Sequence, residues 1–155
     1  LLGPKLEAVR KSTSDDFVII LRTIIGKTEG MEKAVERANM ANDLGVDYVF
    51  VDGLNSIEDM EYVSRESRAK LMVNLNENVF PATLDIEKVK SMNFKIGLYP
   101  ISTLQVAAKS MFEALNLIKE KGTAFEMKNK MTTYSEIIEL LHYHEDIEKY
   151  SKLYK

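Results

Sequence analysis

Four short runs of branched and aromatic residues recur along the chain: Phe17 to Leu21, Val46 to Val51, Leu71 to Leu75 and Phe94 to Tyr99. Their apolar residues run together rather than alternating with polar ones, which suits strands buried on both faces of a parallel sheet. A helical pattern follows each run. After the first, Met31, Ala34, Val35, Ala38, Ala41 and Leu44 recur at helical spacing, and Gly45 supplies a left-handed stop. After the second, Ser56 and Asp59 have capping-box spacing ahead of Met60 and Val63. Leu84 to Met92 predicts a short third helix. Beyond Pro100, Ser102 is placed to cap a long fourth helix ended by Gly122, with Leu104, Ala107, Ala108, Met111, Leu115 and Ile118 expected to face the core. Thr133 and Glu136 open a C-terminal helical segment, about 131–155.

Strand-helix-strand units of this length need right-handed crossovers and a parallel sheet covered by helices. Both an open doubly wound sheet and a barrel, or half of one, satisfy that pattern. No glycine-rich phosphate loop follows any strand, so nucleotide binding of that kind has no support. Polar residues stand at each strand's C-terminal end: Arg22 and Thr23, Asp52, Asn74 and Asn76, and Ser102. In a barrel those ends converge on one site; in an open sheet they spread along an edge. A single domain fits the 155 residues. The net charge of −3, with acids matching the basic residues along the chain, disfavours nucleic acid as a partner. No apolar run approaches a membrane span. The absence of cysteine removes disulfides, thiolate metal sites and a cysteine nucleophile. A cytoplasmic location is the expectation, and the opening Leu1 leads us to expect further sequence upstream.

Several segments together resemble the isocitrate lyase and phosphoenolpyruvate mutase superfamily. Phe17-Val18-Ile19-Ile20-Leu21-Arg22-Thr23, with Glu29-Gly30-Met31 and Ala34-Val35-Glu36-Arg37-Ala38, is similar to that family's fifth barrel strand and following helix. Leu44 to Asp52 resembles its sixth strand ending in an acid, and Val73-Asn74-Leu75-Asn76-Glu77 its seventh-strand asparagine motif. Leu98-Tyr99-Pro100-Ile101-Ser102 resembles the eighth strand and turn. Met131-Thr132-Thr133 with Glu136 and Tyr143 resembles the C-terminal helical segment. The resemblance implies an α/β fold comprising the C-terminal half of a (βα)8 barrel, four βα units over about 17–122. It further implies a Mg²⁺-dependent lyase or mutase acting on a small 2-oxo or 2-hydroxy carboxylate. A carbon–carbon or carbon–phosphorus bond would be made or broken through an enolate-like intermediate.

On this resemblance Arg22 is the guanidinium beside the developing oxyanion, and Asp52 the acid that holds metal-bound water. Asn74 donates to a substrate carboxylate, while Pro100 and Ser102 shape the far wall. The direct Mg²⁺ ligands and the catalytic loop belong to the barrel's first half, outside these residues. The chain departs from the family pattern at Ile24, where an acid is common, at Gln105, where several lyases carry arginine, and at Asn78-Val79 in place of a glycine pair. A non-catalytic barrel relative or fragment with an assembly role is the alternative. The expected partner besides substrate is the missing N-terminal half or another copy of the chain. Without the resemblance, Arg22 reads as an ion-pair residue and Asp52-Gly53 as a turn. His142 and His144, two apart on a predicted helix, point to different faces and do not chelate together. The methionines read as core fillers. Tyr143, Tyr150 and Tyr154 suit either a partner subunit or packing within the chain.

Overall fold

A computed structural model of the chain describes residues 2–78, 80, 84–151 and 153. Leu1, Val79 and Tyr154 lie outside the described residues. The chain divides into two compact units, Leu1–Thr103 and Leu104–Lys155. The first holds four parallel strands in the order β1-β2-β3-β4: Ile20–Thr23, Tyr48–Val51, Leu71–Asn74 and Phe94–Leu98. Its helices are α1 (Leu2–Ser12), the single turn α2 (Gly26–Glu29), α3 (Met31–Asp43), α4 (Ile57–Glu66) and α5 (Ile86–Ser91). The long α6 (Ser102–Lys121) begins there and continues into the second unit, which also holds a 3-10 segment (Phe125–Lys130), α7 (Tyr134–Leu140) and α8 (Tyr143–Ser151). No helix among the described residues is long and apolar enough to cross a membrane.

Local chemistry fixes the boundaries of these elements. Gly45, at φ 78°, takes the left-handed conformation that ends α3 and turns the chain into β2. Ser56 Oγ accepts the Asp59 N–H at 3.0 Å, and the Asp59 carboxylate accepts the Asn55 N–H at 3.0 Å, one residue earlier than a capping box would place it. Thr133 and Glu136 form the full reciprocal box that starts α7. At the N-terminal end of the sheet the Asp47 carboxylate accepts the Ile19 N–H at 2.8 Å and an Arg10 N–H at 3.1 Å, while Arg10 also donates to the Gly45 carbonyl at 2.6 Å. These contacts tie α1, which the apolar periodicity did not reveal, to the start of β1.

Side chains alternate between the faces of a strand, and the two faces of this sheet differ. Val49, Val51, Leu71, Val73, Phe94 and the flanking Ile19 form one buried cluster with Ala34, Ala38 and Ala41 of α3, Met60 and Val63 of α4, and Val89 of α5. The three alanines are fully buried, so α3 can lie close against the strands. The other face carries Ile20, Arg22, Tyr48, Phe50, Met72, Asn74, Ile96 and Leu98; Ile20 and Leu98 are exposed, and Met72 is buried without joining that cluster. Helices covering one face only is the arrangement of a (βα)8 barrel wall, whose second face looks into the barrel; a doubly wound sheet would be covered on both.

Two expectations are corrected. The first strand starts at Ile20 rather than Phe17, because the Phe17 N–H bonds back to the Ser14 carbonyl at 3.1 Å and turns the chain there; Phe17 and Val18 are exposed. The apolar stripe of α6 does not enter a core: no α6 residue is buried, and Leu104, Met111, Leu115 and Ile118 are all about half exposed or more. Periodicity identified a face that favours cover, and the residues described here do not cover it.

Met60 is fully buried between α4 and the sheet, so Met60→Ala should cost about 2–5 kcal/mol in urea unfolding, whereas the exposed Leu115→Ala should stay within about 0.5 kcal/mol. The Ile19 N–H, and secondarily Arg10, hold the Asp47 carboxyl below its ordinary value. A depressed folded-state value means stability that is fully present above the unfolded carboxyl's titration and lost as pH falls through the folded one. Thermal melts should therefore lose part of their dependence on acid pH in Asp47→Asn.

Candidate active site

The alternation that builds the core also decides which strand-end polar residues can serve a site. Arg22, Asp52 and Asn74 occupy the same parity, set by the register Arg22↔Phe50, Phe50↔Met72 and Asn74↔Leu98, and so fall on the uncovered face. Thr23 falls on the other. It is buried, and its Oγ1 accepts the Ile25 N–H at 3.4 Å to fasten the turn after β1. Asn76 likewise serves its own turn, accepting the Asn78 N–H at 2.9 Å.

The Arg22 guanidinium donates to the Asp52 carboxylate at 2.6 Å and lies over the Phe50 ring, 5.8 Å from its centroid. The Asp52 N–H donates to the Thr23 carbonyl at 2.8 Å, carrying the β1–β2 ladder one step past β2 and holding the acid beside the arginine. Asp52 and Asn74 line one cleft of about 160 Å³ with Lys27, Phe50, Asn55 and Phe80. Asn74 Oδ1 is buried there without a hydrogen-bond partner. Ser102 Oγ, at the start of α6, is the other such atom among the described residues. It lies close enough to Glu77 that the hydroxyl, more than the Glu77 backbone N–H, holds that carboxyl below its usual range, although the contact lacks hydrogen-bond geometry. Buried polar atoms are normally paired. The Asn74 orphan stands at the C-terminal end of β3, the end at which barrel enzymes bind substrate.

The structure thus pairs Arg22 with Asp52 and sets Asp52 and Asn74 in one cleft, which Arg22 itself does not line. Pro100 stands exposed in the turn after β4, and neither it nor Ser102 lines the cleft. The order of strands explains this, because β1 and β4 are opposite edges, three strand spacings or roughly 14 Å apart. Ile24, 54% exposed, follows Arg22 on the same parity and brings an apolar side chain to that edge. The pattern-based reading passed over Lys27, Asn55 and Phe80. No linear signal marked Lys27, whose place depends on Gly53: a Cβ there would lie 2.0 Å from Lys27 Cε, so the glycine leaves room for the lysine stem. His142 and His144 are exposed, and His142 faces Glu145 at 3.5 Å.

Mg²⁺ favours a near-octahedral set of oxygen ligands, commonly one or two carboxylates completed by waters and substrate. Among the described residues no three acidic or histidine side chains converge on a point where a metal could sit. Asp52 is the one carboxylate lining the cleft and is already engaged by Arg22. The described residues therefore do not fit as direct holders of the ion.

No family model matches the chain. It is 33% identical to 2-methylisocitrate lyase from Aeropyrum pernix over 134 residues, which is 86% of this chain and 43% of that one. It superposes on 2,3-dimethylmalate lyase, a PEP mutase/isocitrate lyase superfamily member, with a TM-score of 0.82 at 25% identity, over 97% of this chain and 54% of the other. These residues belong to that superfamily. The superfamily chain spans about half the length of the curated relatives it matches. A phosphonopyruvate hydrolase solved with oxalate and Mg²⁺ shares its fold, with a TM-score of 0.80 at 18% identity over 99% of this chain and 56% of that one.

Arg22 is 65% exposed and Asp52 is 20% exposed, and ion pairs of that exposure contribute about 0–1 kcal/mol. Arg22→Gln should lower unfolding free energy by less than about 1 kcal/mol. A loss several times larger in chemical denaturation would show that the pair is a structural strut rather than a site.

Proposed function

We propose that the protein containing this chain is a lyase acting on a small 2-oxo or 2-hydroxy carboxylate, and that these four βα units form the substrate-binding wall of its barrel. One observation carries the reading. Asp52 and Asn74 line one cleft at the C-terminal end of a one-sided sheet, on the uncovered face, and Arg22 joins it through its ion pair with Asp52. The matched relatives support the class, since they are superfamily lyases.

Cleaving a carbon–carbon bond beside a carboxylate leaves its electron pair on an enolate, and the negative charge builds on oxygen. A fixed guanidinium is worth most where such charge develops, in a site with little water. Arg22 serves that role in this proposal, with Asp52 and the Phe50 ring fixing its plane before substrate arrives. Asn74, whose amide belongs to the cleft wall, orients the substrate carboxylate. A Mg²⁺ ion would add further charge stabilisation and a template for the substrate oxygens; its direct ligands would come from outside this chain.

About eight strands close a barrel around a packed interior, and the described residues supply four. A second set of four βα units would account for the uncovered face and the orphaned Asn74 oxygen, and the matched relatives extend well beyond the part that this chain covers. We assign that face to the other half of the barrel. The apolar Ile24 at the mouth favours a second reading, a non-catalytic barrel relative kept for assembly.

In the protein carrying both halves, Arg22→Ala should lose more than tenfold in kcat/KM for carboxylate cleavage, about 1.4 kcal/mol or more of transition-state stabilisation. His144→Ala should change little. Equal losses in the two variants would remove the case for Arg22, and the absence of any turnover in the intact protein would favour the assembly reading. Calorimetric titration of this chain alone with Mg²⁺ should show no tight binding; tight binding would reveal ligands that the geometry does not.

A further inference from the structure

The cleft contains a cation that neither the family resemblance nor the matched relatives assign. Lys27 sits in α2, the single turn after β1, and its stem lies across Gly53 at the end of β2: Cγ, Cδ and Cε would all be within 2.8 Å of a Cβ at that position. Gly53 has φ 90°, so the turn also favours glycine for backbone reasons. With its stem held there, Lys27 lines the cleft beside Asp52, Asn55 and Asn74.

The charge balance of the cleft follows. Asp52 is the one acid in the lining among the described residues, and Arg22 offsets it at 2.6 Å. The Lys27 N–H donates to the Ile24 carbonyl at 3.1 Å, while its exposed ammonium makes no ion pair or hydrogen bond among the described residues. Four other lysines pair with acids, among them Lys33 with Glu36 at 2.7 Å and Lys130 with Glu113 at 3.1 Å; most of the described lysines, like Lys27, do not, so it is the place of Lys27 in the cleft that sets it apart. A cation that reaches a small concave site, with an amide at its other wall, favours an anionic ligand there.

We infer that Lys27 is a substrate-binding residue that holds a carboxylate of the ligand in the cleft between the β1 and β2 turns, without needing a metal. This rests on the carboxylate-lyase reading above and adds to it a specificity-determining charge from outside the strand ends. The ammonium meets the carboxylate as a point charge with rotatable donors, leaving Arg22 for the oxygen where charge develops.

The test is calorimetric titration of the full chain with oxalate and with its neutral isostere oxamide, at low ionic strength in the presence of a chelator. Oxalate should bind the wild type and should bind Lys27→Gln at least tenfold more weakly, about 1.4 kcal/mol. Lys27→Arg should stay within about threefold of the wild type, as a retained charge requires. Lys33→Gln, the same loss of charge on exposed α3, should bind oxalate as the wild type does, and oxamide should not distinguish any variant. Unchanged oxalate affinity in Lys27→Gln, equal weakening in Lys33→Gln, or no oxalate binding by the wild type would each overturn the inference. Turnover of the intact protein and its loss in Arg22→Ala judge the lyase reading separately, so either conclusion can fail while the other stands.

Discussion

A parallel sheet needs both faces out of water, and in this chain helices cover one. The cluster built from Val49, Val51, Leu71 and Val73 against α3, α4 and α5 secures that face. The opposite face, from Ile20 through Phe50 and Met72 to Leu98, has no comparable cover within these residues. Apolar burial is worth roughly 25 cal/mol per Å², so an aromatic and aliphatic face of this kind strongly favours being covered. The edges add to this, since β1 and β4 each leave one row of backbone donors and acceptors unpaired within the sheet.

The same asymmetry positions the chemistry. Residues on the covered face make the core, and even a polar one such as Thr23 is absorbed into it. Residues on the uncovered face are free to meet a ligand. Arg22 and Asp52 are brought together because parallel neighbours in register place like parity side by side, and Asp52 continues the ladder one step beyond β2. Four strands in a row cannot bring β4 back to β1, so Pro100 and Ser102 stay apart from Arg22 until a closed barrel curves the edges together.

What was legible in the sequence is what local chemistry determines. The four strands follow from apolar runs separated by helical patterns, while their side-by-side order followed only from the family resemblance, and Gly45, Ser56 and the Thr133–Glu136 pair marked helix ends by capping chemistry alone. The strand-end positions of Arg22, Asp52 and Asn74 were readable too. What was not legible depends on parity, turns or distant neighbours. Phe17 and Val18 look like strand residues, but a turn closing on Ser14 keeps them out of the ladder. Thr23 and Asn76 have the composition of site residues, and their facing and turn bonds make them structural. The α6 stripe has the period of a buried face, but periodicity does not say what covers it. Lys27 enters the cleft only through the space over Gly53, a relation between two turns that no linear pattern carries.

The claim on which the account rests is that this sheet is one wall of a barrel whose inner face and edges are covered in the protein's stable state. Sedimentation equilibrium of the 155-residue chain measures that directly. The account predicts that the isolated chain does not persist as a 17.7 kDa monomer and instead associates with other copies. A monodisperse, stably folded monomer of that mass across the concentration range would contradict it.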